Sequence, residues 1–141
     1  MNKKIDVRYL YDNKMSFWYD YQPMLYVFGN IAVQVDDEDY QGDTRVLYNE
    51  DGKIGFLRFG WGSCSGCDAL QGCYHDYDEL QQLCDRLQND IQWFDTPNEA
   101  LTFFKTHDWE GDYDCESVET KTFVYMCIGY LEGLINGCSN S

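Results

Sequence analysis

Apolar and polar positions along the first sixty residues follow the short periods of strands. Ile5-Asp6-Val7-Arg8-Tyr9-Leu10-Tyr11 alternates at its start, and Met15 to Tyr21 is rich in aromatics. Leu25-Tyr26-Val27-Phe28 leads through Gly29-Asn30 into Ile31-Ala32-Val33-Gln34-Val35, and a Gly at the first turn position suits a two-residue hairpin. Arg45-Val46-Leu47-Tyr48 and Ile54-Gly55-Phe56-Leu57-Arg58-Phe59 flank Asn49-Glu50-Asp51-Gly52. The Asp-Gly dipeptide there predicts a second hairpin.

After Phe59 the period lengthens. Gly60 to Gly72 is rich in Gly, Ser and Cys and too irregular for a strand. Leu80, Leu83, Cys84, Leu87 and Ile91 then fall on one face of an amphipathic helix. Thr96-Pro97-Asn98-Glu99 has the form of a capping box with Pro in the first turn, opening a helix to about Thr106. Phe123, Met126, Cys127, Tyr130, Leu131 and Leu134 line one face of a last helix ending near Gly137. Strands at about 5–59, a cysteine loop at 60–75 and some three helices within about 76–136 predict an α+β fold. Its antiparallel sheet of hairpins is expected to carry the helices on one face. No repeat or linker divides residues 1–141, so a single domain is expected.

Composition supports an ordered chain. Hydrophobic residues are 44% and aromatics 17% of the sequence, more than disordered chains contain. No apolar run is long enough to span a bilayer. Lys3 and Lys4 precede no apolar stretch of the kind a signal peptide has, so a cytoplasmic setting in a host cell is expected. Charge narrows the picture most. Ten Lys and Arg against 25 Asp and Glu give a net charge of −15. Such a surface repels nucleic-acid phosphates and anionic headgroups and favours basic partners.

The sharpest chemical signal is Gly62-Ser63-Cys64-Ser65-Gly66-Cys67-Asp68. Two thiolates separated by two residues can share one tetrahedral zinc, because the chain folds back over that distance. They supply half of a structural site, and an odd count of seven cysteines fits a reduced compartment better than disulfides. Cys73 and His107 are the next ligand candidates after Cys64 and Cys67. His75 is also close in sequence, and Cys115 and Cys138 lie farther off. His107 has an alternative role as a helix C-terminal residue interacting with the dipole. Cys84 and Cys127 fall on the apolar faces of their helices and read as small core residues. The same Cys64 and Cys67 pair permits a thiol-redox or metal-handling reading. Pro23 and Pro97 are the only prolines, however, and neither sits where a dithiol active site of the thioredoxin kind would need one.

Other chemistry is weakly signalled. The chain has no GxxxxGK[ST] loop, GxGxxG turn or HExxH helix. Asp108, Glu110, Asp112, Asp114 and Glu116 alternate as calcium ligands do, but the loop lacks the Gly at its sixth position, where Tyr113 stands. A solvated acidic loop accounts for it better, and no catalytic residue is assigned.

The acidic residues matter more as a distribution. Asp36 to Asp51 holds seven acids against Arg45, Asp76 to Asp95 six against Arg86, and Asp108 to Glu119 six against no base. Aromatics such as Trp109 and Tyr113 are interleaved. Carboxylates that pair with Arg and Lys, beside aromatic anchors, make a docking face for a basic protein. The candidate contacts are Asp36, Asp37, Glu38, Asp39, Asp108, Trp109, Glu110, Asp112, Tyr113 and Asp114.

The Gly62–Asp68 loop, followed by a helical pair and then His107-Asp108-Trp109-Glu110-Gly111, resembles small proteins encoded by phages and prophages. Size, acidity and aromatic content are also similar in character to anti-CRISPR inhibitors of Cas9-type nucleases, with no shared motif. That resemblance implies a non-enzymatic viral inhibitor. It would occupy a basic nucleic-acid-binding surface on a host defence protein, with zinc as a structural cofactor. It implies no direct nucleic-acid or membrane contact and fixes no oligomeric state.

Overall fold

The computed structural model describes residues 5–8, 21–37, 42–61, 70, 76–109 and 118–138. Their order is helix α1 (Gln22–Phe28), strands β1 (Ile31–Asp36), β2 (Gly42–Glu50) and β3 (Lys53–Trp61), helix α2 (Tyr77–Asp90), strand β4 (Gln92–Phe94), helix α3 (Pro97–Thr106) and helix α4 (Val118–Cys138). The strands form one antiparallel sheet in the order β1-β2-β3-β4. The fold is thus α+β, as the change of period predicts.

The helices cover both faces of this sheet, which corrects the expectation of one covered face. On one side Val46, Tyr48 and Leu57 pack against α1 (Met24, Leu25, Phe28), α2 (Leu80, Leu83, Cys84, Leu87) and the N-terminal Ile5 and Val7. On the other side Val33, Leu47 and Ile54 meet α3 (Ala100, Phe104) and α4 (Phe123, Cys127, Leu131). Because side chains alternate across a strand, a sheet buried on both faces must be apolar in both registers. β2 is buried continuously from Asp43 to Tyr48. An irregularity between Ile31 and Val33 turns Ile31 toward the first side and Val33 toward the second.

The Asp-Gly hairpin forms as the sequence requires. Asp51 (φ 53°) and Gly52 (φ 94°) both take positive φ between the paired Glu50 and Lys53, the backbone of a two-residue hairpin turn. Asn49 Oδ1 accepts from the Gly52 N–H at 2.9 Å. The Gly-Asn hairpin does not form. Residues 22–28 are helical: Pro23 sits in the first turn, and Met24, Leu25 and Phe28 turn inward at helical spacing. Gly29 serves there as a close approach, since a Cβ would lie 2.8 Å from Glu50 Oε1 and 3.2 Å from the Tyr48 ring. Glu50 in turn accepts from the Asn30 N–H at 2.6 Å.

Three further differences follow from tertiary contacts. Val7 and Arg8 are helical rather than extended, and this segment docks on α2, where Gln81 Nε2 donates to the Ile5 carbonyl at 2.9 Å. β4 was not foreseen, because three residues carry too little periodicity to announce a strand. It pairs Phe94 with Ile54 and Trp93 with Gly55, and a Cβ on Gly55 would strike the Trp93 ring at 2.8 Å. Met126, expected on the inner face of α4, is 45% exposed. The Met15–Tyr21 strand and the cysteine loop lie almost wholly outside the described residues.

Two of the three predicted helices start at side-chain caps. Asp76 Oδ1 accepts from the N–H groups of Asp78 (2.9 Å) and Glu79 (3.2 Å) at the start of α2. Thr96 Oγ1 accepts from Glu99 N–H at 3.2 Å at the start of α3, while Glu99 reaches back to the Asp95 N–H at 3.1 Å, one residue beyond the expected capping-box partner.

Candidate functional site

One buried cation joins Asp37 and Asp43, which flank the first acidic segment, to the first turn of α4. Arg45 on β2 is 1% exposed and shares the side of Leu47, facing α4. Its Nη1 lies 2.9 Å from Asp37 Oδ1, its Nη2 lies 3.9 Å from Asp43 Oδ2, and its Nε donates to Thr120 Oγ1 at 3.0 Å. Asp37 Oδ2 also accepts from the Asp43 N–H at 2.8 Å, and the Asp37 N–H donates to the Asp43 carbonyl at 3.0 Å. A guanidinium out of water needs such partners for its fan of donors. The result ties both ends of the 36–43 acidic segment to the first turn of α4. The second acidic segment, from Asp108, runs into that same turn at Val118. Anionic groups are favoured at a helix N-terminus, and Glu119 occupies the first turn.

Asp36 is exposed at the end of β1, with both carboxylate oxygens 3.2 Å from Gln34 Nε2. The carboxylate of Asp37 is engaged internally by Arg45. Asp108 is exposed beyond α3. Trp109 is half-buried: its Nε1 donates to the Phe104 carbonyl at 3.0 Å and its ring stacks on Phe104 at 5.6 Å. This indole fixes the start of the second acidic segment against the aromatic cluster, which leaves less of it to offer a partner. Glu38, Asp39, Glu110, Asp112, Tyr113 and Asp114 lie outside the described residues.

A third acidic surface lies across the molecule on α2. Asp78, Glu79, Asp85 and Asp90 are exposed there with Arg86. In the sequence Arg45 stands out only as a charge against its acidic neighbours. An arginine next to Asp43 and Thr44, just before the apolar Val46–Tyr48 run, is the local sign of a buried ion pair, and Thr120 has no comparable signal.

Of the candidate metal ligands, Cys64, Cys67 and Cys73 lie outside the described residues. His107 caps the end of α3, with its N–H donating to the Phe103 carbonyl at 2.8 Å. Its ring lies 4.9 Å from that of Phe103 and 4.4 Å from that of Trp109. Among the described residues no group of three or more His, Cys, Asp or Glu is placed to hold a metal. Cys84 and Cys127 are buried free thiols in the two separate cores. Burial, with Asp85 adding to it, pushes the Cys84 thiol up to about 12, and burial alone raises that of Cys127 further. Both are poor nucleophiles and poor metal ligands in the folded chain. Among the described residues no helix is long and apolar enough to cross a membrane. No protein-family model, curated protein or solved structure matches the chain.

Proposed function

We propose that the protein acts by binding rather than by catalysis. Its acidic end engages the basic, nucleic-acid-handling surface of another protein and keeps nucleic acid from it. The observation that carries this reading is the Arg45 bridge, which gathers the roots of two acidic segments at the first turn of α4. Anionic groups concentrated at one end of a −15 chain compete with phosphates for Arg and Lys and speed encounter with a basic partner. The resemblance to anti-CRISPR proteins names a Cas9-type nuclease as the first target to try.

Reversal of Asp108, Glu110, Asp112 and Asp114 to Lys is expected to slow association with such a nuclease about tenfold or more at low salt, with a smaller effect at high salt. Inhibition of DNA cleavage should fall in parallel. Reversing Asp78, Glu79, Asp85 and Asp90 on α2 makes the same change in net charge and should change the rate much less. Equal losses from the two sets would leave only a diffuse charge effect. An unchanged association rate in the first variant would sink the acidic-end reading.

The zinc belongs to this proposal as a structural ion held by Cys64 and Cys67, with Cys73 and His107 completing the set. Native mass spectrometry of the untagged chain should show one zinc. A thiol reagent should then leave Cys84 and Cys127 unmodified until the chain unfolds, and reach Cys64 and Cys67 only after chelation. Rapid modification of Cys64 and Cys67 in a metal-free, folded chain would favour the thiol-redox alternative instead.

A further inference from the structure

The outer face of α4 has a character opposite to that of the acidic end. Between Glu119 and Glu132 the helix contains no acid, in a chain of net charge −15. Tyr125 is 81% exposed, Val118 71% and Met126 45%. Gly129 and Gly133 follow on the same face, and a Cβ at either would meet nothing within 4 Å. An exposed ring and an open glycine one turn apart form a knob and a hole on one stripe. A basic partner attracted by carboxylates finds none along this stretch, whereas a second copy of this acidic chain meets least repulsion where carboxylates are absent.

We propose that this face is where two copies of the chain associate, through antiparallel packing of α4 on α4 about a two-fold axis. Such an interface is isologous, so the patch must be complementary to itself. Setting Tyr125 of one copy over Gly129 of the other meets that condition, and the two-fold repeats the contact. The absence of a side chain at Gly129 and Gly133 lets the helices approach closely. The same alignment brings the exposed Lys121 level with Gly133 of the second copy, beside Glu132. Glu132 already holds Lys105 of its own chain at 3.0 Å, so Lys121 would join an existing ion pair. Beyond the first turn of α4 the surface is separate from the acidic end, and it does not depend on what that end binds.

Sedimentation of the full-length chain tests this. The native chain is expected to run at twice its monomer mass as concentration rises. Added salt should strengthen the dimer, because it screens repulsion between two acidic bodies, whereas binding of a basic protein should weaken with salt. Gly129→Glu places a carboxylate in the hole, and Tyr125→Ser removes the knob. Each should return the chain to monomer mass with an unchanged circular dichroism spectrum, since neither site has close neighbours. The pair of variants guards against one failing to fold. A native chain that stays monomeric at every concentration and salt, or a dimer that both variants leave intact, would overturn the proposal.

Discussion

Replacing Arg45 with Met is expected to lower the unfolding free energy by about 3–5 kcal/mol, the cost of removing one member of a buried ionic group. Met retains most of the side-chain volume, so the loss reports the charge and its hydrogen bonds rather than a cavity. The side chains of Asp37 and Asp43, 19% and 8% exposed, would lose their shared cation, and Thr120 would lose its donor. The carboxylates would then have to turn toward water, which disturbs the root of the 36–43 segment. Arg45→Lys should recover only part of the loss, because one ammonium cannot serve Asp37 and Thr120 in the geometry of a guanidinium. Arg45→Met combined with Asp37→Asn should be less unstable than Arg45→Met alone, since a neutral amide is cheaper to leave without a cation. The measurement is the urea midpoint at constant slope. A shift worth less than about 1 kcal/mol would place the group effectively in water, where ion pairs contribute little. It would also remove the anchor shared by the two acidic segments.

How far the sequence foretells this arrangement depends on the range of the interactions involved. The 49–52 turn and the helices capped at Asp76 and Thr96 were legible because each is specified by adjacent residues. Residues 22–28 were not. An apolar run ending in Gly-Asn fits a strand and turn as well as a short helix. The helix forms because Met24, Leu25 and Phe28 find the sheet on one side, while the Tyr48 hydroxyl donates to the Leu25 carbonyl at 2.9 Å. That bond joins positions 23 residues apart, beyond the reach of a local pattern. The double-sided sheet was hinted at by the apolar residues in both registers of β2 and β3, yet their charged neighbours hid it. Arg45 reads in the sequence only as a charge against its acidic neighbours, yet it is 1% exposed. At the acidic end, the abundance of carboxylates was plain from composition. The contact between positions 45 and 120, which ties Asp37 and Asp43 to α4, is one that no spacing announces.

The aromatic core around Trp109, where the second acidic segment begins, gives the other large expected effect. Phe104→Ala should cost about 3–5 kcal/mol, the range for emptying a buried phenylalanine site. Phe104 is 1% exposed. Its ring lies 5.4 Å from Phe56, 5.6 Å from Trp109 and 6.0 Å from Phe123. Those neighbours come from β3, the end of α3 and α4, so collapse around the vacancy would have to move three elements that are each fixed elsewhere. Incomplete collapse leaves a cavity, which places the cost at the upper end of the range. Tyr26→Ala, at a residue 65% exposed on α1, should stay within about 0.5 kcal/mol and serves as the comparison. The Phe104 variant should also redden the fluorescence of Trp109, because the stacked ring that shields the indole is gone. The backbone bond from Trp109 Nε1 to the Phe104 carbonyl can persist, so the indole should loosen rather than swing free. Association with a basic partner should then slow modestly even under conditions where the variant is fully folded, since the start of the second acidic segment has lost its packing. A Phe104→Ala chain as stable as the Tyr26 variant, with Trp109 emission unchanged, would mean that this cluster does not hold the acidic segment in place.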